Sequence, residues 1–153
     1  MKFLSRLLAL ASFSVLAVAT AVMPPASAAP QEQQWTITSY ATGGCLAADF
    51  SNTYTYGCGV ANQKWLLESP LPGYYRMISV ATGRCLANND YFTVRTVTCG
   101  TTGRSELWQF IGDGSTVGVY IINLNTDRYL STDFSRAVYL ALQTPNQTWT
   151  VVA

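Results

Sequence analysis

The 153-residue sequence contains no histidine. Histidine is the most frequent general base, a common zinc ligand and the middle member of most nucleophilic triads, so its absence disfavours most hydrolytic chemistry. A pair of carboxylates could still act as acid and base, as in glycosidases. However, none of the eight acidic residues falls in a catalytic motif. We therefore predict a protein without enzymatic activity, cofactor or metal.

A long hydrophobic run is also missing. The longest uncharged apolar stretch, residues 7–22, is shorter than the roughly 20 residues that span a bilayer. Lys2 and Arg6 precede this stretch, and Ala26-Ser27-Ala28 follows it. A cationic start, a short apolar segment and an A-x-A site are typical of a secretory signal peptide. The sequence thus predicts a signal peptide over residues 1–28, a short extension over 29–34, and a secreted protein without membrane insertion.

Charged residues make up only 11% of the chain. Once Lys2 and Arg6 leave with the signal peptide, seven basic residues face eight acidic ones, and Lys64 is the one remaining lysine. Nucleic acids and anionic membranes attract clustered Lys and Arg, which this sequence does not have. We expect neither as a partner, and we expect one monomeric domain over residues 35–153.

What the sequence does contain is one pattern repeated three times. Each copy starts as a strand with alternating apolar positions, passes through Ala-Thr-Gly or Asn-Thr-Asp, and continues in a second strand. The second strand opens at Cys45, Cys85 and Tyr129. A unit of about four short strands cannot bury its apolar face alone, so three units must share one core. We predict about twelve strands in repeats at about 35–74, 75–117 and 118–153.

Each copy also closes on a tryptophan. The closing tripeptides are Gln63-Lys64-Trp65, Glu106-Leu107-Trp108 and Gln147-Thr148-Trp149. Three such tripeptides in register, with Cys-Leu opening two copies, resemble the ricin-B-type β-trefoil lectin family over residues 35–152. The resemblance implies an all-β trefoil, a secreted bacterial-type single-domain member, and a structural role for each closing Trp and Gln. Glu106 replaces Gln and lacks the amide donor, so we expect the middle repeat to be held less firmly.

Four cysteines in an exported chain are typical of two disulfides, for which three connectivities exist. Metal binding is disfavoured, because histidine and Cys-x-x-Cys spacing are both absent. The resemblance implies closure within a repeat, which pairs Cys45 with Cys58 and Cys85 with Cys99. The third repeat has replaced both of its cysteines.

The resemblance also implies one shallow sugar site in each repeat. Its parts are an Asp two residues after the opening position, an aromatic ring on the next strand, and an Asn or Gln before the closing Trp. A carboxylate beside an exposed ring suits sugars, which present hydroxyls and a C–H face. The Asp is missing here, since Ala47, Ala87 and Ser131 occupy its position. This loss argues against galactose-type specificity.

Other residues of the first and third repeats could supply the missing groups. Asp49 and Asp133 lie two positions farther along, where Asp also serves simply as a turn residue. Tyr54, Tyr56 and Tyr139 are candidate stacking rings, although aromatic residues are also enriched on half-buried strand faces. The candidate sugar-binding residues are therefore Asp49, Tyr54, Tyr56, Asn62, Asp133, Tyr139 and Asn146.

These features favour a carbohydrate-binding protein that holds a glycan or polysaccharide at its first and third repeats. The alternative is a non-catalytic trefoil that has lost sugar binding and binds a secreted protein, as a protease inhibitor or toxin subunit does. In that case the loops at 69–74 and 99–105 would form the contact surface, and Arg104 would enter a trypsin-like pocket.

Overall fold

The computed structural model describes residues 32–144 and 147–153. The predicted signal peptide and Asn146 therefore lie outside the described residues. The described chain contains twelve β-strands and two short 3-10 helices, which confirms the all-β trefoil prediction. No helix in these two ranges is long and apolar enough to cross a membrane.

Each repeat contributes four strands, and the third and fourth are joined by a 3-10 helix at Ala61–Gln63 in the first repeat and at Gly103–Glu106 in the middle one. The strands of the first repeat are β1 Thr36–Ser39, β2 Cys45–Ala48, β3 Thr53–Tyr56 and β4 Trp65–Leu71. Those of the middle repeat are β5 Tyr74–Ser79, β6 Cys85–Asn88, β7 Val94–Val97 and β8 Trp108–Ile111. Those of the third repeat are β9 Val119–Asn123, β10 Arg128–Thr132, β11 Val138–Ala141 and β12 Thr148–Val152.

The first and fourth strands of the three repeats form a closed barrel. Five antiparallel pairings connect them in the order β1-β12-β9-β8-β5-β4. A bridge between Trp35 and Trp65 completes the circle. The backbone N–H of each residue donates to the carbonyl of the other, at 2.7 and 2.9 Å. The two ends of the strand order, at β1 and β4, are therefore hydrogen-bonded to each other.

The second and third strands of each repeat form a hairpin, and the three hairpins pack against one another. The loop of each hairpin lies on the third strand of another repeat, and we call these contacts the first, second and third junctions after the repeat that supplies the strand. The hydrogen bonds are Thr55 N–H to Arg136 O (3.0 Å), Thr96 hydroxyl to Phe50 O (2.9 Å) and Leu140 N–H to Phe92 O (2.7 Å). The junctions thus join residues from different repeats.

The three closing tryptophans lie at the centre of the core and are fully buried. Each indole N–H donates to a leucine carbonyl on the second strand of its own repeat. These bonds are Trp65 to Leu46 (3.0 Å), Trp108 to Leu86 (2.8 Å) and Trp149 to Leu130 (2.9 Å). The apolar ring is buried and its polar N–H is satisfied, so the three repeats have equivalent anchors.

The residue two before each tryptophan also satisfies the backbone beside it. In the first repeat, Gln63 accepts from the N–H groups of Gly59 and Val60 and donates to the carbonyl of Gly57 at 2.9 Å. In the third repeat, Gln147 accepts from the N–H of Thr144 and donates to the Ser131 hydroxyl. Both glutamines therefore use their acceptor and their donor.

Glu106 closes the middle repeat with different chemistry. Its carboxylate accepts from the Gly100 N–H (2.6 Å) and from the N–H and hydroxyl of Thr102 (2.6 and 2.9 Å). Arg76 Nε lies 3.4 Å from it. Burial raises the pKa of Glu106, but these hydrogen bonds and the Arg76 charge outweigh it and leave the pKa below its ordinary value. A paired charge thus replaces the amide of the other repeats.

The structure contains two disulfides, Cys45–Cys58 and Cys85–Cys99. This is the pairing that the family resemblance implies. Each disulfide joins the start of a second strand to the loop that follows the third strand, so it closes its own repeat. The loop that leads to Gln63 or Glu106 is therefore tied covalently to the hairpin.

Candidate functional site

In each repeat, one residue of the third strand lies opposite the position at which the family carries its aspartate. Strand register places Tyr54 opposite Ala47, Arg95 opposite Ala87, and Tyr139 opposite Ser131. The first and third repeats therefore carry a tyrosine where the middle repeat carries an arginine. The three residues occupy equivalent positions because the three hairpins pair in the same register.

In the first repeat, the structure brings together two of the predicted site residues. Asn62 Nδ2 donates to the Tyr54 hydroxyl at 2.8 Å. Tyr54 lies on β3 and Asn62 lies in the 3-10 helix, directly before the buried Gln63. The bonds that hold Gln63 to its loop therefore also fix the position of Asn62. In the third repeat Tyr139 has the same register, and its predicted partner Asn146 lies outside the described residues.

The predicted site residues Asp49 and Asp133, and also Asp90 of the middle repeat, hold turns together. Asp49 Oδ1 accepts from the backbone N–H groups of Ser51 and Asn52, at 3.0 and 2.7 Å. Asp90 and Asp133 accept backbone N–H groups of their own hairpin loops in the same way. The two backbone bonds from Ser51 and Asn52 lower the pKa of Asp49 below its ordinary value. These contacts are the ones expected if the aspartates serve as turn residues.

Tyr56 and Asp133 meet at the first junction. They line a pocket of about 220 Å³ between the first and third repeats. The Arg136 guanidinium lies over the Tyr56 ring, 4.8 Å from its centre. The lining includes Thr42, Gly44, Tyr56, Asp133, Phe134 and Arg136. Sequence reasoning assigned Tyr56 to the first repeat and Asp133 to the third, so it missed this shared pocket and the roles of Phe134 and Arg136.

A larger cavity of about 700 Å³ contains none of the predicted site residues. Its walls are mostly apolar and include Trp35, which precedes β1, and Tyr75 and Phe110 from the barrel strands. Of the two carboxylates that line it, Glu32 and Glu68, the second pairs with Arg76 at 3.3 Å. Within residues 32–144 and 147–153, no three His, Cys, Asp or Glu side chains are grouped to hold a metal ion.

A family model described as ricin-type beta-trefoil lectin domain-like matches residues 27–97, which span the first repeat and about half of the middle one. Solved structures such as SeviL bound to asialo-GM1 saccharide and the BEL beta-trefoil share the fold of the described residues. The resemblance to ricin-type β-trefoil lectin-like domains is confirmed. No curated protein matches the chain.

Three similar solved structures illustrate the range of proteins with this fold. ThreeFoil, a designed threefold-symmetric protein, is 19% identical with a TM-score of 0.69, over 78% of this chain and 98% of that one. SeviL bound to asialo-GM1 saccharide is 18% identical with a TM-score of 0.67, over 80% and 98%. An exo-beta-1,3-galactanase from Clostridium thermocellum is 17% identical with a TM-score of 0.70, over 80% and 30%. At these identities the likeness concerns the fold.

Proposed function

We propose that this protein is a secreted, non-catalytic lectin that binds a glycan at its first and third repeats. The observation that carries the proposal is the hydrogen bond between Asn62 and Tyr54, which joins a ring and an amide at the position where ricin-type domains hold sugars. Tyr139 and Asn146 are the corresponding pair in the third repeat.

The chemistry of this pair suits a neutral sugar. A tyrosine ring offers a flat face to sugar C–H groups, and its hydroxyl and the Asn62 amide both donate and accept hydrogen bonds. Ala47 brings no carboxylate to the site, so each site binds weakly. Two sites on one chain then gain affinity by engaging the same polysaccharide.

Export and the lack of catalysis are supported separately. The sequence over residues 1–28 has the composition of a signal peptide, and two disulfides suit an oxidising compartment. The family description is that of a lectin-like domain, and the SeviL structure was solved with a saccharide. No histidine is present to act as a general base.

The test is a glycan array with the mature chain, followed by titration of the best glycan. Tyr54→Ala and Tyr139→Ala should each weaken binding about fivefold, because an aromatic contact is worth on the order of 1 kcal/mol. Tyr40→Ala is the matched control, since Tyr40 is 69% exposed and lies outside both candidate sites. A wild-type chain that binds no glycan, or binding that survives both changes, would contradict the proposal.

The protein-binding alternative receives less support. Arg104 is exposed, but it lies in the 3-10 helix Gly103–Glu106, whose last residue is the buried Glu106. A loop that enters a protease cleft as a substrate does is extended, and this one is helical. Absence of trypsin inhibition by the intact chain is the expected result.

A further inference from the structure

The three junctions differ at the residue directly before Cys45, Cys85 and Tyr129. This residue is Gly44 in the first repeat, Arg84 in the middle repeat and Arg128 in the third. At the second junction, Arg84 donates to the hydroxyl and carbonyl oxygens of Thr96, at 3.3 and 3.0 Å. At the third junction, the Arg128 guanidinium lies 4.8 Å from the centre of the Phe92 ring. An arginine side chain therefore occupies the second junction, and another occupies the third.

The first junction is open because Gly44 has no side chain. The pocket of about 220 Å³ lies here, lined by Gly44 on one side and by the loop of the third repeat on the other. A Cβ atom on Gly44 would lie 3.1 Å from Cβ of Thr55, so a larger residue here requires Thr55 to shift slightly. Thr96 is the residue that corresponds to Thr55, and it accommodates Arg84. The trefoil can therefore hold an arginine at this position, and the first repeat leaves the space free.

Arg136 reaches this pocket from the loop of the third repeat. Its backbone has a φ of 74°, in the left-handed region that non-glycine residues rarely adopt. Two hydrogen bonds hold it there: its N–H donates to Asp133 O at 3.1 Å, and its carbonyl accepts from the Thr55 N–H at 3.0 Å. Unfavourable backbone conformations of this kind persist where the surroundings fix them, often at binding sites.

The Arg136 guanidinium stacks on the Tyr56 ring, and its N–H donors can still bind a ligand. Among the described residues, no carboxylate lies within 4 Å of it and no side-chain hydrogen bond engages it. Guanidinium groups bind carboxylates through two parallel hydrogen bonds, which are stronger than bonds to neutral groups. An anionic group is therefore the partner that this arginine binds best.

The remaining walls suit the rest of a sugar. Asp133 Oδ1 accepts from Ser135 and Ala137, while its other carboxylate oxygen has no partner among the described residues and can accept a sugar hydroxyl. Phe134 is 81% exposed and Tyr56 is 48% exposed, so both rings can contact a C–H face. The volume is below the roughly 300 Å³ at which drug-sized sites begin, which fits a single ring.

We propose that the first junction is a second ligand site, separate from Tyr54 and Asn62, that binds an acidic sugar residue of a glycan. Arg136 binds the sugar carboxylate, Asp133 accepts a hydroxyl, and Phe134 and Tyr56 contact the ring. The inference rests on the proposed carbohydrate binding. It adds a preference for acidic over neutral glycans.

The test is an NMR titration of the mature chain with methyl glucuronide and, separately, with methyl glucoside. We expect the glucuronide to bind about tenfold more tightly, in line with the extra strength of a charged hydrogen bond. Arg136→Gln should abolish this preference, and Arg136→Lys should restore part of it. Gly44→Arg should fill the pocket and abolish glucuronide binding. Arg95→Gln is the matched control, because Arg95 is exposed on β7 outside the pocket, and it should change nothing.

The outcomes separate the two proposals. Equal binding of both glycosides, or a preference that survives Arg136→Gln, overturns the acidic site and leaves Tyr54-dependent glycan binding intact. A preference that depends on Arg136 while Tyr54→Ala and Tyr139→Ala have no effect supports the acidic site and overturns the first proposal. N-acetylaspartate is the third probe, and binding as tight as that of the glucuronide would overturn the assignment to a sugar.

Discussion

In the first repeat, Tyr54 lies opposite Ala47 and accepts a hydrogen bond from Asn62, whereas in the middle repeat Arg95 lies opposite Ala87. The closing residue differs in the same way, since Gln63 of the first repeat is neutral and its counterpart in the middle repeat is charged. The tryptophan anchors and the disulfides are nevertheless the same. The two repeats thus share a framework and differ in the polar groups placed on it.

The difference concerns where each repeat places its polar and charged groups. The middle repeat uses three of its charged residues internally: Glu106 pairs with Arg76, and Arg84 bonds Thr96. The first repeat has small or neutral residues at the corresponding positions, Gly44 among them, and keeps a pocket and the hydrogen-bonded pair Tyr54 and Asn62. Internal pairing removes the groups that a ligand would otherwise bind.

The largest expected effect tests whether the framework is equal in both repeats. Trp65→Ala and Trp108→Ala should each lower the free energy of unfolding by about 3–5 kcal/mol, because each change leaves a cavity in the core. Urea denaturation measures both, with the partly buried Trp35→Ala as the control for a smaller loss. A much smaller loss for Trp108 than for Trp65 would show that the middle repeat is anchored differently.

The next effect concerns the disulfides. Replacing Cys45 and Cys58 by Ala, or Cys85 and Cys99 by Ala, should each cost about 3 kcal/mol, since each bond closes a loop of similar length. Guanidinium denaturation of the two double variants measures this. Unequal losses would mean that one repeat relies on its disulfide more than the other.

A third prediction exchanges the closing residues. Glu106→Gln should cost about 1–3 kcal/mol, because it leaves Arg76 beside a neutral group and removes a charged acceptor from the Gly100 N–H. The reciprocal Gln63→Glu places a carboxylate against the carbonyl of Gly57 and should also destabilise. Thermal unfolding of both variants tests this. If either exchange left the thermal stability unchanged, the identity of the closing residue would not matter to its repeat.

The same pair predicts a pH dependence. The pKa of Glu106 is lower in the folded protein than its ordinary 4.5, so its contribution is full above that value and is lost as the pH falls through the folded pKa. The stability gap between wild type and Glu106→Gln should therefore shrink on acidification from pH 7 to below 4.5. Urea midpoints along this range measure it, and a gap that stays constant would contradict the charged state of Glu106.

The smallest effect comes from giving the middle repeat the candidate site of the first. Arg95→Tyr combined with Ser105→Asn should change the free energy of unfolding by less than about 0.5 kcal/mol, since the changes lie away from the core. We expect the number of bound glycans per chain to rise by one. Calorimetric stoichiometry measures this, with Arg95→Tyr alone as the control. An unchanged stoichiometry would show that a ring and an amide are insufficient.

The threefold repeat in the sequence made most of the fold predictable. Because alternating apolar positions and the closing tryptophans recur in register, the number of strands and their order could be predicted from the sequence. The disulfide pairing followed from the family resemblance and is present in the structure. For the site, the sequence singled out Tyr54 and Asn62, which the structure joins, and Asp49, which the structure uses in a turn.

The sequence by itself therefore determined the trefoil framework, because burial and turn chemistry repeat locally within each forty-residue unit. Only the tertiary structure decided how the repeats meet. It placed Arg136 of the third repeat over Tyr56 of the first, and it put Arg76 beside Glu106. Contacts between residues far apart in the chain depend on how three similar units pack around one core, and no local pattern encodes that packing. Gly44 stands where the other two repeats have an arginine, and it borders a pocket only because the loop of the third repeat forms the opposite wall.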